Sequence, residues 1–108
     1  MYNSFIKEIT DEENSSISGK KNQTSIEEVL SSKGRIIILK TLAEREELNI
    51  SAIARIANLN HSTTTQHLKF LTKAGLVQEK KFGRIKIFRY RIENTKARSL
   101  KRLFEIWD

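Results

Sequence analysis

His61, Ser62, Thr63, Thr64, Thr65 and Gln66 form an unbroken row of short hydrogen-bonding side chains at the start of a predicted helix. Serine and threonine are weak helix formers, and three β-branched residues in succession weaken a helix further. A helix that begins this way suggests a task besides folding. Short donors and acceptors without charge suit the base edges of a DNA groove. The plainer alternative is an ordinary helix start with capping hydroxyls. Other chemistries find little to stand on. The chain has no cysteine and two histidines, His61 and His67, which lie six apart and cannot chelate from one helical face. Asp and Glu are scattered with no histidine nearby, and no glycine-rich phosphate loop is present, so neither an enzyme, a metal site nor a cofactor is expected.

The elements around that row explain how it would be held. Residues 50–76 read as two short amphipathic helices separated by a tight turn. Ile53, Ala54 and Ala57 share one face of the first, and Thr64, Leu68 and Leu71 one face of the second. Between them, Asn58 falls where a helix ends in a left-handed residue, Leu59 plugs the turn, and Asn60 is a good N-cap. Ala54 lies where the two helices would cross closely. This is helix-turn-helix grammar, in which the second helix can enter a major groove.

Composition narrows the partner. The 108 residues suffice for one domain with a modest core. The net charge of +7 is unevenly placed. Residues 1–24 hold three Lys and four Asp or Glu, a balance of −1, whereas residues 61–102 hold twelve Lys or Arg against Glu79 and Glu93, a balance of +10. Concentrated charge of this kind favours a polyanion partner. No apolar run approaches the roughly 20 residues of a membrane span, and no basic-then-apolar leader opens the chain. A cytoplasmic protein without membrane contact is expected.

Along the chain, residues 1–24 read as a flexible or partly helical arm in which Phe5, Ile6 and Ile9 make one apolar turn. Order is expected from Ser25, which opens a capping box with Glu28. A short helix over 25–31 precedes a second over 36–42, entered through Lys33-Gly34-Arg35 and apolar almost all round. Leu48-Asn49-Ile50 reads as an extended piece, with Ser51 capping the next helix. Beyond Gly75 the pattern alternates, and 76–82 and 85–92 read as strands of a hairpin turning at Gly83-Arg84. Phe88, Tyr90 and Ile92 are expected on the helices, and the tip, with Lys80, Lys81, Arg84 and Lys86, beside the second motif helix. A last helix, capped at Asn94 or Thr95, repeats Ala97, Leu100, Phe104 and Trp107 at a/d spacing, with Leu103 and Ile106 widening the stripe. Residues 94–108 are therefore expected to form a dimer seam, with docking on the chain's own domain as the alternative.

The order helix, helix, helix-turn-helix, β-hairpin, terminal helix is that of an α+β, mostly helical winged helix-turn-helix, here over 25–93. From Val29 to Ile92 the chain resembles the ArsR-like prokaryotic transcriptional regulators. The matching stretches are Val29 to Leu39, Ile50 to Ala54, and above all Thr65 to Val77, with His67-Leu68-Lys69 followed by Ala74-Gly75-Leu76-Val77. The resemblance implies a homodimeric, sequence-specific binder of double-stranded, palindromic DNA, usually a repressor. It further implies base contacts from His61, Ser62, Thr65 and Gln66, with phosphate contact from Lys69. Lys81 and Arg84 on the wing would reach the neighbouring groove or backbone. Two features depart from the family: the cysteines of its metal-sensing members are absent, and Thr64 stands where an aliphatic residue is usual. A winged-helix protein-interaction module and a single-stranded nucleic-acid binder are the rivals. The threonine-rich helix start speaks against the first and the lack of an exposed aromatic platform against the second.

Overall fold

A computed structural model describes residues 24–108, so the N-terminal arm expected at 1–24 lies outside the described residues except for Thr24. Helix α1 (Ile26–Val29) starts at the expected capping box, in which Ser25 accepts from the Glu28 amide and the Glu28 side chain accepts from the Ser25 amide. It is shorter than 25–31, because the chain turns at Leu30. Helix α2 (Lys33–Arg45) begins three residues earlier than expected. The Ser32 hydroxyl caps it by accepting from the Arg35 amide at 3.2 Å, which draws Lys33-Gly34-Arg35 into the first turn. Ile38, Leu39 and Leu42 are fully buried, so α2 is the central core element.

At Glu46 the backbone takes φ 76°, ψ −53°, a costly conformation for a residue with a Cβ. Two hydrogen bonds hold it there. Its amide donates to the Leu42 carbonyl at 2.8 Å, and its carbonyl accepts from the Tyr90 amide at 2.9 Å. The reversal launches a short strand, β1 (Glu47–Asn49), which pairs antiparallel with β3 (Ile85–Tyr90), itself paired with β2 (Val77–Phe82). The sheet order is β1-β3-β2. Helix α3 (Ile50–Ala57) is capped by Asn49, whose side chain accepts from the Ala52 amide at 2.8 Å, and not by Ser51. Asn49 wins because pairing with Ile87 fixes it as the last extended residue.

The turn follows the sequence closely. Asn58 is left-handed, at φ 58°, ψ 48°, and its amide bonds back to Ala54 and Arg55. Asn60 caps α4 (His61–Lys73) by accepting from the Thr63 amide at 2.7 Å. Thr64, Leu68 and Leu71 form the buried face of α4, and the Thr64 hydroxyl finds its partner in the Asn60 carbonyl at 2.8 Å. That contact answers the departure at this position, since the threonine methyl packs while the hydroxyl is satisfied. Leu59 seats against Gly34: a Cβ there would lie 3.2 Å from one Leu59 methyl and 3.4 Å from His67 Nε2. Glycine thus lets α2 and the motif approach closely.

Helix α5 (Thr95–Trp107) is capped by Asn94. It is tied to the hairpin by the buried Tyr90 hydroxyl, which donates to the Ala97 carbonyl at 2.6 Å. Burial pushes the Tyr90 phenol up to about 12. Phe88 and Tyr90 face the helices as expected, but Ile92 does not. The strand stops at Tyr90, the Ile92 amide folds back onto the Tyr90 carbonyl, and the side chain is left 42% exposed.

A further junction locks α4 onto α2. The Arg35 guanidinium lies 3.8 Å over the Phe70 ring and donates from Nε to His67 Nδ1 at 3.4 Å, while His67 Nε2 lies 3.5 Å from the Ser32 hydroxyl. The geometry suits a neutral imidazole that accepts at Nδ1. Burial, and secondarily the Arg35 charge, hold its pKa below the ordinary value. The folded state therefore binds a proton less readily than the unfolded chain. Stability is fully present above 6.5, the ordinary histidine value, and declines as pH falls below it towards the folded pKa. Thermal unfolding across that window should show the loss. His67→Gln, which keeps an acceptor and a donor but no titration, should flatten it, and an equal decline in the variant would place the cause elsewhere.

Candidate nucleic-acid interface

With its apolar side committed to the core, α4 turns a polar side outward. His61, Ser62, Gln66, Lys69 and Lys73 are exposed, and Thr65 is half-buried among them. Ser62, Thr65, Gln66, Lys69 and Lys73 follow helical spacing along one face. Thr63 sits on the flank, half-buried, with its amide taken by Asn60. The Thr65 hydroxyl lies 3.5 Å from His61 Nδ1, so these two side chains orient each other. The face is uncharged at its first turn and carries a lysine in each of the next two. Donors and acceptors thus come first and cations after.

The hairpin adds its own charge on two distinct sides. In an antiparallel pair, partners in register share a face. Val77 with Tyr90, Glu79 with Phe88 and Lys81 with Lys86 therefore line the side that packs on the helices. Gln78 with Arg89, Lys80 with Ile87 and Phe82 with Ile85 line the other. A cleft of about 240 Å³ separates α4 from the first side, lined by Thr65, Lys69, Thr72 and Lys73 against Glu79, Lys86 and Phe88. Lys81 and Lys86 stand directly opposed, a like-charge pairing that weakens a hairpin unless an anion bridges it. Glu79 offsets it only loosely, 3.9 Å from Lys86.

The expected wing residues are therefore not equivalent. Lys81, Arg84 and Lys86 are exposed towards the tip, whereas Lys80 lies on the far side and pairs with Glu47 at 2.6 Å. Arg89 and Arg91 are also engaged. Both bond Glu93, and the Arg89 hydrogen bond leads in pulling that carboxyl down to about 2. Lys73 was not among the expected site residues, although its spacing of four from Lys69 signals it. Arg35 and Phe70 were missed as positioning residues, since a contact across more than thirty positions leaves no local trace.

The expected dimer seam divides in two. Ala97 is fully buried and Leu100 nearly so, both within the chain's own core, and Phe104 packs half-buried against it. Lys40 and Asp108, 2.5 Å apart, pin the end of α5 to α2. Ala97 is thereby spent on the chain's own core, while Leu100, though nearly buried, still lines the floor of an open groove. A second stripe stays outside: Leu103, Ile106 and Trp107 are 42%, 67% and 80% exposed. Ile26 on α1, 60% exposed, shares with Leu103 an apolar groove of about 380 Å³. No helix among the described residues is long and apolar enough to cross a membrane.

Comparison with known proteins agrees with this geometry. Residues 32–79 match the family described as bacterial regulatory protein, arsR family. The cadmium resistance transcriptional regulatory protein CadC of Listeria innocua serovar 6a is 36% identical over 75 residues, and that of Lactococcus lactis subsp. lactis matches equally. The match takes in 69% of this chain and 61% of each relative, so the chain spans under two thirds of their length. Among solved structures, the transcriptional repressor BigR from Xylella fastidiosa superposes with a TM-score of 0.69 at 19% identity, covering 100% of this chain and 97% of that one. HlyU from Vibrio cholerae N16961 does so with 0.67 at 22%, covering 76% and 86%. These two likenesses establish the fold. The chain thus has the winged helix-turn-helix fold, and its residues 32–79 are similar to the arsR family.

Proposed function

We propose that this chain is a sequence-specific binder of double-stranded DNA that acts in the cytoplasm as a homodimeric transcriptional repressor on a palindromic site. The observation that carries the reading is the outer face of α4, where uncharged Ser62, Thr65 and Gln66 run directly into Lys69 and Lys73 across a cleft from Lys86. Cations on phosphate supply affinity through counterion release, and uncharged side chains on base edges supply selectivity. The relatives' names add support, since CadC is called a transcriptional regulatory protein and BigR a transcriptional repressor. Cadmium is not carried over with the name, because these 108 residues hold no cysteine to supply soft thiolate ligands.

In this reading His61, Ser62, Thr65 and Gln66 meet base edges, and Lys69, Lys73, Lys81, Arg84 and Lys86 meet phosphate. Replacing Thr65 and Gln66 by Ala should abolish discrimination between a preferred duplex, recovered by selection from random DNA, and its scrambled version. Non-specific binding should persist, since the net charge is unchanged. Each base-reading side chain removed should cost roughly 1–3 kcal/mol of selectivity in competition titrations. Selectivity that survives the double change would assign base reading to other residues.

Replacing Lys81 and Arg84 by Ala should weaken binding to all duplexes alike. The slope of log affinity against log salt should flatten by about 0.9 for each phosphate that is no longer neutralised. A loss confined to one sequence with the slope unchanged would make these residues base readers.

The homodimer rests on the outer stripe of α5. Leu103, Ile106 and Trp107, joined by Ile26 across the groove, are large apolar side chains left without cover among the described residues. Self-association through them would have to set two copies of α4 about one DNA turn apart, roughly 34 Å, as a palindrome requires. Leu103→Glu with Ile106→Glu should give a folded monomer with much weaker affinity for the selected duplex. Sedimentation read beside circular dichroism decides, and a variant that remains dimeric would move the interface off this stripe.

A further inference from the structure

We infer that Phe82 and Ile85, at the tip of the hairpin, form an apolar wedge that enters the DNA minor groove beside the recognition helix and bends the duplex; the inference rests on the duplex-DNA reading above. The two residues are direct partners across the turn and are 58% and 56% exposed. Strand β1 covers only Ile87, Phe88 and Arg89 of β3, so the tip runs on as a bare two-stranded ribbon. The turn itself carries no bulk at its first position. Gly83 has φ 63°, as a two-residue loop with glycine first requires, and nothing lies within 4 Å of where its Cβ would be. Phe82 and Ile85 are thus the most prominent apolar groups on the wing.

Their surroundings select the partner. Arg84 stands in the turn between the pair, and Lys81 and Lys86 adjoin it from the opposite face. Lys80 shares its face but pairs with Glu47, and Glu79 is the only carboxylate within the hairpin. An apolar pair with a cation at its turn and two more behind it matches a target with anionic walls and an apolar interior. A duplex groove, with phosphate rims above stacked bases, is such a target. Sidedness chooses the groove. Lys81 and Lys86 lie on the side facing α4, and Phe82 and Ile85 on the opposite side. With α4 in the major groove, the lysine side meets the phosphate ridge that bounds it. The apolar side then meets what lies beyond that ridge, the adjacent minor groove. Apolar side chains inserted there unstack a base step and bend DNA by roughly 20–90°.

A cross-strand apolar pair would also staple the hairpin whatever the wing touched, and the test separates these roles. The probe is a short duplex labelled with a fluorophore at each end, in two versions: one with pyrimidine–purine steps where the wing would fall, the other with a stiff A-tract. Energy transfer between the ends should rise when the full chain binds, more for the flexible duplex. Phe82→Thr with Ile85→Thr keeps β-branched residues suited to a strand but removes the wedge. It should abolish the rise and weaken binding on the order of tenfold, with the salt slope unchanged. Phe82→Leu, which keeps an apolar tip, should still bend. If the double variant loses its fold by circular dichroism, Phe82→Thr alone takes its place. Binding without a bend, or a Thr variant that bends as the natural chain does, overturns the wedge and leaves DNA binding standing. Failure of the natural chain to bind either duplex overturns the DNA reading and the wedge with it.

Discussion

Helix α4 must present hydroxyls, an amide and ammonium groups to solvent while being held from its inner side alone, and much of the domain answers to that constraint. Its first turns are poor helix formers, so the helix depends on contacts outside itself. Asn60 satisfies the Thr63 amide, and the Asn60 carbonyl accepts from the amide and the hydroxyl of Thr64. Leu68 and Leu71 are fixed in the core, and Arg35 clasps the helix through His67 and Phe70. The Arg35 clasp sits on the flank of α4 and leaves the outer face free. Gly34 belongs to the same arrangement, since its missing side chain lets Leu59 and His67 settle on α2.

The fold was legible in the sequence wherever a signal is local. The left-handed Asn58, the cap at Asn60, the buried Thr64, Leu68 and Leu71, and the hairpin turning at Gly83-Arg84 need only neighbouring residues to specify them. What stayed hidden depends on distant partners. The extended piece expected at Leu48-Asn49-Ile50 is present one residue earlier, but its partner was not legible. Glu47–Asn49 pairs with β3 some forty residues on, and that pairing moves the cap of α3 from Ser51 to Asn49. Ile92 continues the alternation of β3 in sequence but not in space, because the sheet ends at Tyr90. The apolar repeat of α5 was visible, but periodicity cannot say which part docks on its own domain. Ala97 and Leu100 turned out to be core, and the stripe shifted by a few residues was left outside.

Charge follows a related rule at longer range. The basic excess over 61–102 is large, yet the structure uses a good part of it internally. Lys80 is held by Glu47, and Arg89 and Arg91 converge on Glu93. Exposed pairs of this kind add little stability, but they fix where the remaining charge points. Among the described residues, Lys69, Lys73, Lys81 and Arg84 take part in no ion pair, and they lie on α4 and the wing tip. Sequence gives the amount of positive charge over this half of the chain. The fold decides which fraction is available to a partner. Besides Lys96, Arg98, Lys101 and Arg102 on α5, which are in no ion pair either, it leaves free cations on the two elements that flank one cleft.

Helix α5 serves the same economy with apolar surface. A domain of this size has a limited interior, and one helix carrying two apolar stripes cannot bury both in it. Docking takes the stripe of Ala97, Leu100 and Phe104, helped by the hydrogen bond from Tyr90 and the ion pair of Lys40 with Asp108. Those contacts fix the rotation of α5 about its axis, and with it the direction in which Leu103, Ile106 and Trp107 face. Because Tyr90 also ends the central strand of the sheet, the outer stripe and the wing are referenced to one residue. Any assembly through that stripe would therefore place the wing, and α4 beside it, at a defined angle to their counterparts in a second copy. Core packing within one chain would then set the geometry with which two chains approach a single partner.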